Sequence, residues 1–210
     1  MSQEQNLKKE RHGKVWITSE HLKQLREPPV SSVIDALSLE PSSVVVELGA
    51  GQGHFTLPIA KRFVQTSDSG LIFAFDVSEK LIKRLDEVAA RLGVDNHIRS
   101  WPFALMKDPN VLPIDDGIAD RVLAFNSLQY LDDPMPICWE IARILKPGGV
   151  ALILSWFRQF PGLEEVTGDH GSPPEKMLTA LSEVGLGEYT RLTLDNYSWT
   201  IRATKPGSRA

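Results

Sequence analysis

The stretch VVVELGAGQGHF, Val44 to Phe55, decides how this chain is read. Three consecutive valines favour a pleated strand buried on both faces, and the run closes on an acid, Glu47. Gly49, Gly51 and Gly53 then alternate, which permits backbone conformations and close approaches that a Cβ would block. Phe55, Ile59, Ala60, Phe63 and Val64 follow near helical spacing. The glycines therefore lie between the carboxyl end of a strand and the start of a helix, where α/β folds bind ligands. A small-molecule cofactor site is the expectation.

Outward from this loop, strands and helices alternate. Leu71 to Phe75 form a second apolar strand ending at Asp76. Leu81, Leu85, Val88 and Leu92 stripe a helix that Gly93 closes. Ile98 to Trp101, Val122 to Phe125 and Val150 to Leu154 read as further strands, with a helix through Ile137, Ile141 and Leu145. This rhythm argues a doubly wound parallel sheet. The tail departs from it. After a helix through Met177, Leu178, Leu181 and Val184, alternating runs carrying Leu192 and Leu194, then Tyr197, Trp199 and Ile201, flank Asp195-Asn196 as a β-hairpin. The expected fold is a single-domain α/β, mostly parallel, seven-stranded sheet with a C-terminal antiparallel hairpin. Ser19 to Leu25 and Val30 to Leu39 read as short helices before the first strand, so residues 1–29 form an arm and cap and 30–210 the main domain.

With 210 residues, 42% of them hydrophobic, the chain can bury one sizeable core. A net charge of -4 provides no general basic field for nucleic acid or anionic membrane. The cluster Lys8, Lys9, Arg11 and Lys14 reads as a solvated arm. One cysteine, Cys138, allows no intrachain disulfide, which suits a reducing, cytoplasmic setting. Its place beside an apolar helix stripe argues packing rather than nucleophilic attack. The first thirty residues carry no apolar leader, and the longest apolar run, Val150 to Phe157, is too short for a bilayer. No HExxH or paired Cys/His spacing suggests a metal site.

The glycine spacing alone also fits a dinucleotide site. That pattern, however, wants a third glycine where His54 stands, and here it comes one residue early. Glu47 moreover precedes the first glycine by two, and a carboxylate there repels a pyrophosphate and attracts a cationic ligand. ELGAGQG at Glu47 to Gly53, Asp76 at the tip of the second strand, and KPGG at Lys146 to Gly149 together resemble class I S-adenosylmethionine-dependent methyltransferases. Leu112 to Pro134, LPIDDGIADRVLAFNSLQYLDDP, resembles the small-molecule branch related to ubiquinone/menaquinone biosynthesis.

The resemblance implies a Rossmann-like methyltransferase fold, S-adenosyl-L-methionine as cofactor, and methyl transfer to a small-molecule acceptor by direct displacement. It places Gly49, Ala50, Gly51 and Gly53 along the cofactor's methionine moiety, Glu47 toward its ammonium through water, Asp76 on the ribose and Val77 beside it. The adenine ligand is Asp108 when counted back from Leu112-Pro113, whereas counting forward from Asn96 reaches Phe103 or Ala104. Asn126 either meets the methionine end or simply ends its strand. Other readings stand beside these: Asp76 as a helix cap in competition with Ser78, and Glu47 as a buried acid paired with a lysine. Methyl transfer from a sulfonium requires no nucleophile on the enzyme. Trp16, Tyr130 and His170 are pocket candidates, against packing for the two aromatics and solvation for the histidine. His54 is expected in the first turn of its helix. Asp115, Asp116 and Asp120 read as a turn. Asn126-Ser127-Leu128-Gln129 lacks the N/D-P-P-Y form of nucleobase N-methyltransferases, which disfavours RNA or DNA. A nicotinamide-dependent oxidoreductase and a cofactor-binding module without turnover are the alternatives.

Overall fold

The computed structural model describes residues 29–104, 111–128, 131, 133–156, 174–194 and 198–207. Its centre is β1 (Val44–Leu48), paired in parallel with β2 (Leu71–Asp76) on one side and β4 (Ala119–Phe125) on the other. A strand with parallel neighbours on both sides and helices over both faces has no solvated face, which accounts for its unbroken apolar run. β3 (Ile98–Pro102) lies outside β2, and β5 (Leu145–Trp156) pairs with β4. The order is β3-β2-β1-β4-β5, then β7 (Ser198–Thr204) and β6 (Gly187–Leu192). Chain direction of travel reverses between β1 and β4, so a crevice opens at the carboxyl end of β1, beside the glycines.

Helices cover both faces. From α1 (Val30–Leu37) come Val33, Ile34 and Leu37, and from α2 (Thr56–Thr66) come Ile59, Ala60 and Phe63; these pack on Val45, Ile72, Leu123 and Leu152. On the same side α3 (Glu79–Leu92) sets Ile82 and Leu85 against Ala50 and Ala74. On the other face, Ile137 and Ile141 of α4 (Met135–Ile144) and Met177 and Leu181 of α5 (Pro174–Glu183) join Val46, Leu48, Val122 and Ile153. β1 therefore contributes alternate residues to two cores, the period-2 consequence of its pleat.

The hairpin strands are antiparallel, but the second is the inner one: β7 pairs with β5 from Val150↔Thr204 to Trp156↔Ser198, and β6 forms the edge. Residues 198 to 201 are buried, whereas Glu188 to Arg191 are exposed, as an inner strand and an edge strand should be. The hairpin turn expected at Asp195-Asn196 lies outside the described residues. α1 ends two residues before the expected Leu39, and β5 starts at Leu145, taking in Lys146 to Gly149. That tetrapeptide sits at the opposite end of the sheet from the glycine loop. Lys146 ion-pairs there with Asp120 at 2.8 Å, and Asp120 also accepts from the Val44 amide at 2.8 Å. Its work is to tie β5, β4 and β1 together.

Candidate active site at the carboxyl end of the first strand

The loop after β1 is fixed from three directions. The amides of Gly49 and Ala50 both donate to the Phe75 carbonyl, at 2.7 and 2.9 Å, joining the loop to β2. The Gly51 amide donates to Asp76 Oδ2 at 2.8 Å, and Asp76 Oδ1 accepts from the Ser78 amide at 2.9 Å. From the bend after β4, the Ser127 hydroxyl donates to the Leu48 carbonyl at 2.7 Å. Asp76 is thus half-buried and holds the glycine loop and the α3 approach at once. Ser78, not Asp76, caps α3, its hydroxyl accepting from the Leu81 amide at 3.4 Å, so the helix-cap reading of Asp76 gives way to Ser78.

Two of the glycines differ in what they need. At Gly49 (φ 82°), a Cβ would lie 2.4 Å from the Ser127 Cβ, so absence of a side chain is what lets β4 close on the loop. At Gly51 (φ 57°), nothing stands within 4 Å of where a Cβ would be. The space beside Gly51 is open, on the same loop whose amide faces Asp76. Val77 follows Asp76 directly and is 71% exposed, an apolar side chain open to solvent. Ala50 and Gly53 lie inward, Gly53 against Leu57 and Leu85.

Glu47 does not line the open loop as a solvated anion. Its side chain is buried, 2% exposed, and accepts the hydroxyl of Thr56, the first residue of α2. The partner is a hydroxyl, not the lysine considered above. Burial is the main cause that pushes the carboxyl up to about 7; the Thr56 hydrogen bond and His54 oppose the rise, and Asp76 adds to it. The acid therefore holds its proton to a higher pH than an exposed glutamate does. Thr56 had no distinguishing signal in the sequence, since only folding brings α2 onto Glu47.

Asn126 ends β4 in the left-handed region (φ 48°), with its amide donating to the Leu154 carbonyl at 3.0 Å. His54 is exposed and precedes α2 instead of occupying its first turn; its ring meets Phe55 edge-on at 4.6 Å. Phe103, one of the two forward-count positions, donates its amide to the Asp76 carbonyl at 2.7 Å. Asp108, Trp16, Tyr130 and His170 lie outside the described residues.

The segment from Leu112 is latched from below. Glu140, buried on α4, accepts from the Leu112 amide at 2.5 Å and from Arg143 at 2.6 and 2.8 Å. Arg143 also donates to the carbonyls of Leu112 and Ile114 and to Asp116. Asp116 lies in the expected turn and pairs with Arg143, whereas Asp120 belongs to β4 rather than to the turn and pairs with Lys146. Cys138 is buried with Sγ 3.7 Å from Met177 Sδ, and burial drives its thiol up to about 12. It belongs to the core.

Comparison with known proteins agrees with this architecture. Residues 46–153 match the methyltransferase domain family, and the chain belongs to it. Its fold is that of the class I S-adenosylmethionine-dependent methyltransferases. A 27-O-demethylrifamycin SV methyltransferase from Amycolatopsis mediterranei is 26% identical over 79% of this chain and 54% of its own length. The chain spans about half the length, or less, of the first curated relatives it matches. Among solved structures, an S-adenosylmethionine-dependent methyltransferase from Aquifex aeolicus superposes with a TM-score of 0.64, at 20% identity, over 89% of this chain and 97% of that one. Geranyl diphosphate C-methyltransferase from Streptomyces coelicolor A3(2), solved with Mg2+, geranyl diphosphate and S-adenosyl-L-homocysteine, gives 0.71 at 17% identity, over 89% and 81%.

Proposed function

We propose that the chain binds S-adenosyl-L-methionine over the β1 loop and transfers its methyl group to a small-molecule acceptor. The observation that carries this reading is the open space at Gly51, bounded by Asp76 and beside a buried acid, on a chain of the methyltransferase domain family. Gly49, Ala50, Gly51 and Gly53 accommodate the methionine moiety, and Glu47 favours its ammonium. Asp76 keeps lone pairs for the ribose hydroxyls beyond its two amide donors, and Val77 offers apolar surface next to them. Asn126 flanks the methionine end. Asp108 remains the adenine candidate, and Trp16, Tyr130 and His170 the acceptor-side candidates, on sequence grounds alone.

The sulfonium supplies an electrophilic methyl group. In the displacement an acceptor lone pair forms the new bond to carbon while the sulfur keeps the electrons of the old one. The protein's part is alignment and exclusion of water. A small-molecule acceptor is supported by the rifamycin and geranyl diphosphate enzymes, whose names specify such substrates. The narrower ubiquinone/menaquinone kinship rests on Leu112 to Pro134 alone, and a cytoplasmic location on composition.

Thermal melts test the cofactor. S-adenosylhomocysteine at saturating concentration raises the melting temperature by mass action and NADH does not. The opposite ranking would select a nicotinamide oxidoreductase. Transfer of labelled methyl from the cofactor to a metabolite extract then establishes turnover, and silence across extracts would favour a binding module.

A further inference from the structure

Glu47 sits among groups that compensate a negative charge poorly. On its strand neighbours it faces Ala74 of β2 and Leu123 of β4, both fully buried and apolar. The charged groups acting on it are His54 from the loop, which favours the anion, and Asp76 from the tip of β2, which opposes it. From α2, Thr56 donates its hydroxyl to Oε2, and its amide adds a smaller pull in the same direction. Thr56 is itself 0% exposed, so its side chain is fixed by packing. A buried carboxylate with one hydroxyl donor is costly unless a cation arrives to share it.

We propose that Thr56 is the positioning residue of the cofactor site: by donating to Glu47 it aims that carboxyl beneath the glycine loop and readies it to ionise as a cationic ligand enters, so that uptake of the ligand expels a proton. The proposal rests on the reading of this loop as a cofactor site. Before binding, burial favours the neutral form of Glu47 and the Thr56 hydroxyl opposes that bias. An ammonium-bearing ligand favours the ionised form, and the proton passes to the buffer. Thr56 thereby sets the pH at which the site is ready, without touching the methyl group or the acceptor.

The test is calorimetric titration of the full chain with S-adenosylhomocysteine at pH 6, 7 and 8, in two buffers of different ionisation enthalpy, using wild type, Thr56→Ser, Thr56→Val and Glu47→Gln. For wild type the expected result is affinity about tenfold weaker at pH 6 than at pH 8, one pH unit below the midpoint bringing a tenfold excess of the neutral form. Heats that differ between buffers at pH 6 and 7 would report the released proton. Thr56→Val is expected to lose about tenfold in affinity at pH 7 and to move the midpoint upward, by loss of a charge-assisted hydrogen bond. Thr56→Ser should restore the wild-type profile, and Glu47→Gln should flatten it. A Thr56→Val profile superimposable on wild type overturns the proposal. So does a flat wild-type profile with intact binding, a result that stands even if Thr56→Val fails to fold. Absence of binding by wild type at every pH would overturn the cofactor reading itself, and this proposal with it.

Discussion

The Gly51 amide donates to Asp76 Oδ2 across 2.8 Å, so the loop after β1 is held by the residue that ends β2. The carboxylate is part of the loop's scaffold before any ligand arrives. This support is separable from the proposed recognition of a ligand, because removing the side chain would affect fold and affinity to different extents.

Asp76→Ala leaves the Gly51 and Ser78 amides without their acceptor, and is expected to cost about 1–3 kcal/mol of stability. Affinity for S-adenosylhomocysteine should fall at least about tenfold, read by calorimetry, as two ribose hydroxyls lose a charged acceptor. Unchanged affinity in a folded variant would remove Asp76 from the ligand site.

Gly49 and Gly51 should respond to substitution to different extents. Gly49→Ala combines left-handed strain with a 2.4 Å approach to the Ser127 Cβ, and should lose about 2–4 kcal/mol in denaturant melts. Gly51→Ala meets no neighbour within 4 Å and should lose only about 1 kcal/mol from its positive φ. Gly51→Val is expected to fold and to lose cofactor binding, because its side chain enters the open space. Retained affinity in that variant would mean that the ligand lies elsewhere.

Stability should carry the signature of Glu47. Its folded carboxyl holds a proton up to about 7 whereas an exposed one releases it near 4.5, so the folded state binds more protons in that window. Stability from this group is thus fully present below pH 4.5 and lost as pH rises through 7. Glu47→Gln escapes the loss and should exceed wild type at pH 8 by up to about 3 kcal/mol, the difference shrinking toward pH 5. Melting temperatures of both proteins, without ligand, at pH 5, 6.5 and 8 decide the matter; parallel curves would contradict the burial argument.

Arg143→Met should cost about 2–4 kcal/mol in chemical denaturation, because buried Glu140 loses its guanidinium partner and the Leu112 and Ile114 carbonyls lose a donor. Glu140→Leu combined with Arg143→Met should recover part of the loss. By contrast, Asp116→Asn should stay within about 0.5 kcal/mol of wild type, since that carboxylate is 79% exposed.

Cys138 should resist thiol reagents in the folded chain and react stoichiometrically once unfolded. Burial raises its thiol to about 12, so the thiolate is scarce at pH 8 and shielded as well. Rapid labelling of native protein would show that α4 opens readily.

Sequence alone determined the fold class and the glycine loop. Val44 to Leu48, Leu71 to Asp76 and the helix stripes carry local periodicities that leave little choice of element, and the spacing of Gly49, Gly51 and Gly53 marks a loop that something must approach. The terminal hairpin was legible for the same reason, but not that β7 rather than β6 enters the sheet, since that depends on which strand finds a partner in β5. Only the tertiary structure decided the state of Glu47. Its acidity depends on burial beneath α2, on the Thr56 hydroxyl and on the distance to Asp76, quantities set by how separate segments meet. The same holds for Arg143, whose contacts reach back to Leu112 and Ile114. Periodicity and turn chemistry act over a few residues and survive in the one-dimensional string; desolvation and long-range hydrogen bonding come into being only when the chain has closed on itself.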